Sequence, residues 1–127
     1  MSKTALIVED EIFVALDLER ILEDAGYTVK AIAADRREAL EAAGQCSFAF
    51  VDVNLRDGCT GPSIARQIAR EHGVRVVFVT ANPSQIDEPC PALGYVRKPF
   101  NAKSILAAAE LATSGEAPPA VCRLPAL

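Results

Sequence analysis

Three runs of this chain, Ala5–Val8, Phe48–Val51 and Val76–Val79, are apolar without alternation, and this feature most narrows what the chain can fold into. A strand with one wet face alternates apolar and polar residues, whereas a continuous run reads as a strand buried on both faces. Covering both faces of a sheet takes helices on both sides, and the segments between the runs supply them. Ile12–Ala25 carries Val14, Leu18, Ile21, Leu22 and Ala25 at helical spacing and stops at Gly26, placed as a C′ glycine. Asp35 caps a helix through Ala43 that ends at Gly44. Pro62 suits the first turn of a helix to about His72, closed by Gly73, and Asn101 caps a last helix through roughly Ala112. Tyr27–Ala33 and Gly94–Arg97 read as further strands beside Ala5–Val8, Phe48–Val53 and Val74–Thr80. Five strands alternating with helices imply parallel pairing through right-handed crossovers, which is a doubly wound α/β sheet with helices on both faces.

The pattern weakens between Thr80 and Gly94, where Pro83, Pro89 and Pro91 leave room for one or two helical turns at Ser84–Glu88. The stretch Ser114–Leu127 holds three prolines and no periodicity, so residues 1–113 are expected to form one domain and 114–127 a flexible tail. At 127 residues, half of them hydrophobic, the chain can bury a proper core. A net charge of −4 with no basic stripe or aromatic ladder argues against direct binding of nucleic acid. The first apolar run is too short for a signal peptide or a membrane span, so a cytoplasmic protein is expected. Cys46, Cys59, Cys90 and Cys122 are scattered without a C-x-x-C pair and read as reduced thiols rather than zinc ligands. His72 stands alone at a helix end, where it complements the helix dipole.

Four strands end in a polar group: Glu9-Asp10 after the first, Asp52 at the third, Thr80 at the fourth and Lys98 after the fifth. Each has an ordinary reading. Acids suit a helix N-terminus, an aspartate can brace a turn, threonine suits strands, and Lys-Pro makes a solvent-facing turn. In a parallel sheet, however, all four ends lie on one edge, where ligands bind. Two carboxylates about 4 Å apart repel by roughly 4 kcal/mol at an effective dielectric near 20, so Asp10 and Asp52 together call for a cation. Hard oxygen donors without histidine or thiolate point to Mg²⁺. A metal, an ammonium and a reactive carboxylate suit in-line transfer of a phosphoryl group onto Asp52.

These residues resemble the receiver domain of two-component response regulators. The matching motifs are Ile7-Val8-Glu9-Asp10-Glu11, Asp52-Val53-Asn54-Leu55, Val79-Thr80-Ala81 and Tyr95-Val96-Arg97-Lys98-Pro99-Phe100, spread over residues 5–112. The resemblance implies a flavodoxin-like sheet of order 2-1-3-4-5, here with a short or irregular fourth helix. It implies that Asp52 accepts a phosphoryl group from a sensor histidine kinase or a histidine phosphotransfer protein. Glu9, Asp10, Asp52 and the Asn54 carbonyl would hold Mg²⁺, while Thr80 and Lys98 would contact the phosphoryl oxygens. Ala81 would leave access to the acyl phosphate, and Asn54 and Asn82 would tune its lifetime. On phosphorylation Thr80 would move and Tyr95 turn inward, although Tyr95 also reads as a half-buried aromatic on an edge strand.

No output domain fits in the chain, so it is expected to signal by docking to a downstream protein or to act as a phosphorelay intermediate or sink. Ile12 and Phe13, beyond the core set of the first helix, mark a kinase contact. The alanine-rich last helix suits a partner or a second copy, as in a homodimer, or is simply a good helix former. Three features depart from the commonest receiver pattern and resemble receivers found with some alphaproteobacterial sensor kinases: Leu55-Arg56 after Asp52, a longer route to Gly61, and the proline-broken fourth helix. Other classes fit less well. A haloacid dehalogenase-type phosphohydrolase wants an aspartate where Asn54 stands, and a flavodoxin-like carrier wants a Ser/Thr/Gly-rich first loop where this one is acidic. A phosphorylation-independent pseudo-receiver is the alternative without chemistry.

Overall fold

A computed structural model describes residues 3–86, 91–114 and 126–127. Its strands are β1 (Thr4–Val8), β2 (Thr28–Ala33), β3 (Phe48–Val51), β4 (Arg75–Thr80) and β5 (Ala92–Arg97). Its helices are α1 (Ile12–Asp24), α2 (Arg36–Ala43), α3 (Gly61–His72) and α4 (Ala102–Thr113). The sheet is parallel throughout and ordered β2-β1-β3-β4-β5. This is the doubly wound order expected.

Alternate residues of the central strands feed two separate cores. Leu6, Val8, Ala49, Val51, Val76 and Phe78 pack with Ala39 and Ala43 of α2 and Ile64, Ala65 and Ile68 of α3. Ala5, Ile7, Phe48, Phe50, Val77 and Val79 pack with Leu18, Ile21 and Leu22 of α1 and Ile105, Ala108, Ala109 and Ala112 of α4. Both faces of β1, β3 and β4 are therefore dry, which is why their sequences do not alternate.

Local signals set the helix ends. Asp35 accepts a hydrogen bond from the Glu38 N–H at 3.0 Å, and Asn101 closes a capping box with Ser104. Gly26 and Gly73 follow α1 and α3 with φ of +95° and +67°, the left-handed conformation that costs glycine least. In α1, Ala15 is buried while Ala25 is exposed at the C-cap, so the core stripe closes one turn earlier than the spacing suggested.

Between β4 and β5 the described residues hold a single 3₁₀ turn, Pro83–Gln85, and β5 begins at Ala92 rather than Gly94. Asp87 and Glu88, within the expected turn, lie outside the described residues. Of the tail, residues 115–125 also lie outside them, and Ala126 and Leu127 are described. Ala126 bridges to Tyr95 in parallel, and the Leu127 N–H donates to the Tyr95 carbonyl at 2.8 Å. Cys46 is buried and Cys59 exposed, while Cys90 and Cys122 fall outside the described residues. Among the described residues, no helix is long and apolar enough to cross a membrane.

Candidate functional site

Backbone pairing continues just past the strand ends and fixes where each polar side chain starts. The Glu9 N–H donates to the Ala33 carbonyl at 2.8 Å, the Asp52 N–H to Val8 at 2.9 Å, and the Lys98 N–H to Thr80 at 3.0 Å. The buried polar or charged side chains among the described residues are Glu9, Asp52 and Thr80, all at this one edge. Buried polar groups are costly without partners, so their concentration here marks a site rather than a packing accident.

Lys98 is the hub. Its ammonium donates to Glu9 Oε1 at 2.8 Å and to Asp52 Oδ2 at 2.9 Å. The peptide that follows it, Lys98–Pro99, is cis. Asp10 is exposed, yet carboxylate oxygens of Glu9, Asp10 and Asp52 lie within 4.8 Å of one another. Burial, then the neighbouring Asp52 carboxylate, push the Glu9 carboxyl up to about 8. Burial alone would lower the Lys98 ammonium, but its bonds to Glu9 and Asp52 outweigh that and raise it.

Glu9 Oε2 is buried with no hydrogen-bond partner. Three carboxylates, one with an orphaned oxygen, form a hard-oxygen donor set that fits a divalent cation of the Mg²⁺ kind. Above them opens a cleft of about 300 Å³, lined by Asp10, Asp52, Asn54, Thr80, Ala81 and Lys98 among others. The Thr80 hydroxyl accepts from the Asn82 N–H at 3.0 Å, and the Asn54 amide donates to Gln85 Oε1 at 2.7 Å. Of the residues expected at the site, only Tyr95 stands apart, half-buried on β5 and packed with Ile86 against the α2/α3 core.

The sequence reading missed how the loop after Asp52 is held. Leu55 and Gly58 exchange backbone hydrogen bonds at 2.8 and 2.9 Å, with Gly58 at φ +109°. The tip of this loop is clasped to the start of α2, for Arg56 pairs with Asp35 at 2.6 Å and Asp57 accepts from the Arg36 N–H at 3.2 Å. Hydrogen bonds from Glu38 N–H and Arg56 hold the Asp35 carboxyl below its ordinary value, and the Thr60 hydroxyl does the same for Asp57. Gly61 then brings α3 against β3: a Cβ there would meet the Asp52 carbonyl and lie 2.7 Å from Val53 Cα. The signal for this was the glycine directly before Pro62, which was named only as the end of the loop after Asp52.

Beside the acidic cleft lies a second, apolar cavity of about 480 Å³ lined by Phe13, Val14, Asp17, Ala81, Lys98, Pro99 and Phe100. Ile12, Phe13 and Leu16 of α1 are 56%, 85% and 46% exposed, which is unusual for side chains of this size on one helix.

The family model described as "Response regulator receiver domain" matches residues 5–110. The Phyllosphere-induced regulator PhyR of Methylorubrum extorquens is 32% identical over 113 residues, covering 84% of this chain and 42% of that protein. The solution structure of the Erythrobacter litoralis PhyR response regulator REC domain superposes with a TM-score of 0.83 at 29% identity, covering 94% of this chain and 96% of that one. A Burkholderia pseudomallei response regulator, crystallised with a phosphorylated aspartic acid, calcium ion and citrate, matches with a TM-score of 0.73 at 32% identity, covering 84% and 66%. The chain spans about half the length of the curated relatives it matches.

Proposed function

The chain belongs to the response regulator receiver domain family, and from that premise we propose that it accepts a phosphoryl group on Asp52 from a histidine kinase or histidine phosphotransfer protein and signals by docking. The observation that carries this is the Asp52 carboxylate at the end of β3, open to a cleft, 2.9 Å from the Lys98 ammonium and clustered with Glu9 and Asp10. Glu9, Asp10 and Asp52, with the Asn54 backbone carbonyl, would hold Mg²⁺. Bound there, the ion supplies Lewis-acid compensation of the charge on the transferring phosphoryl oxygens.

The remaining work falls to the chain's own residues. An Asp52 carboxylate oxygen attacks phosphorus, the P–N bond to the donor imidazole breaks, and the bonding pair returns to the ring nitrogen. Lys98 already faces this oxygen and follows the added charge onto the phosphoryl group. The Thr80 hydroxyl gives up the Asn82 N–H to donate to a phosphoryl oxygen, and the space it leaves admits the Tyr95 ring. Ala81 keeps the approach open, and water reaching the same cleft reverses the modification. A titratable set that positions charge around one carboxylate is what an acyl phosphate needs.

The donor protein docks on Ile12, Phe13 and Leu16 of α1 and the apolar cavity beside Lys98, which brings its phosphohistidine over the acidic cleft. The test incubates the protein with Mg²⁺ and acetyl phosphate or phosphoramidate and follows intact mass, with Asp52→Asn as control. One phosphoryl group gained by the wild type and none by the variant is expected. No gain by either protein leaves a phosphorylation-independent binding module.

A further inference from the structure

β5 is an edge strand, and its outer row of backbone groups needs covering or capping. Between β4 and β5 the described residues hold only a 3₁₀ turn, and among the described residues the chain's own Ala126–Leu127 meets the outer edge. Ala126 pairs in parallel with Tyr95, the Leu127 N–H donates to the Tyr95 carbonyl at 2.8 Å, and the Leu127 side chain packs against the α1/α4 core. A backbone hydrogen bond on a sheet edge and a side chain in an apolar layer are the two components of strand addition.

We propose that the outer edge of β5 at Tyr95 is an acceptor site for a short extended apolar segment, and that Ala126–Leu127 occupies it in cis as a removable plug. Any strand-adding partner must displace this segment. The Tyr95 carbonyl is thereby held from outside the sheet while its side chain packs against the other core. The inference does not depend on phosphoryl transfer at Asp52.

The test uses isotope-labelled full-length chain and NMR, with a synthetic peptide of residues 123–127 as the probe. In the wild type the Leu127 amide should exchange about tenfold more slowly than an open one, and the peptide should leave β5 unshifted. Leu127→Pro removes both the donor and the leucine's apolar contact at the rim of the α1/α4 core; its spectrum should otherwise match the wild type, and the peptide should now shift Tyr95 and its β5 neighbours. Leu127→Ala keeps the donor and loses the apolar contact, so its residue-127 amide should exchange faster than the wild type's and more slowly than an open amide. An unprotected Leu127 amide in the wild type, or equal β5 shifts in wild type and Leu127→Pro, would overturn the proposal. Protection that grows with protein concentration would assign the segment to a second copy and overturn the cis arrangement.

Discussion

Metal-free protein should lose stability as pH rises, and Glu9 should be the cause. Its carboxyl is buried, one oxygen lacks a partner, and the fold raises it from 4.5 to about 8. The unfolded chain releases this proton near its ordinary value while the folded chain keeps it, so the Glu9 contribution to stability is full below about 4.5 and falls until about 8. Each pH unit in that window is worth about 1.4 kcal/mol, for a total of up to about 5 kcal/mol. Urea titrations in chelator at pH 5, 6, 7 and 8 give the wild-type curve by linear extrapolation. Glu9→Gln, a neutral isostere of the protonated acid, should flatten it and be the more stable protein at pH 8. Mg²⁺ should recover more stability in the wild type than in the variant, because metal replaces the proton. Parallel pH curves for the two proteins would refute the reasoning.

Three further outcomes follow from the geometry. Gly61→Ala places a Cβ against the Asp52 carbonyl and Val53 Cα, so the β3–α3 junction must shift; denaturation should show about 1–3 kcal/mol lost, and small-donor phosphorylation should slow. Arg56→Ala removes exposed ion pairs to Asp35 and Glu38, which should leave the melting midpoint unmoved yet speed hydrogen exchange of the 54–60 amides. Phe13→Ala, at a side chain 85% exposed, should change stability by under about 0.5 kcal/mol and leave acetyl phosphate labelling intact, while slowing transfer from a histidine kinase.

The sequence carried the frame because its signals were local. Continuous apolar runs gave β1, β3 and β4, and Asp35, Asn101, Gly26 and Gly73 marked helix ends through caps that need only their neighbours. Parallel topology then brought Glu9, Asp52, Thr80 and Lys98 to one edge without knowledge of any contact. What was illegible depends on distances between elements. Nothing in Glu9-Asp10 says that Glu9 is buried and Asp10 exposed, because that follows from the way β1 leaves the sheet. The Arg56–Asp35 and Arg36–Asp57 clasp joins residues 21 apart whose charges look like ordinary surface. Leu127 lay beyond any periodic pattern, so its place on β5 had no sequence signature.

The most direct measurement is where the phosphoryl group goes. Protein treated with a small phosphodonor, reduced with borohydride to convert an acyl phosphate to its alcohol, and mapped by peptide mass spectrometry should show the change at Asp52 alone. It should appear with Mg²⁺ and vanish with chelator. Modification at another residue, or labelling of Asp52 indifferent to Mg²⁺, would contradict a metal-assisted phosphoacceptor at the end of β3.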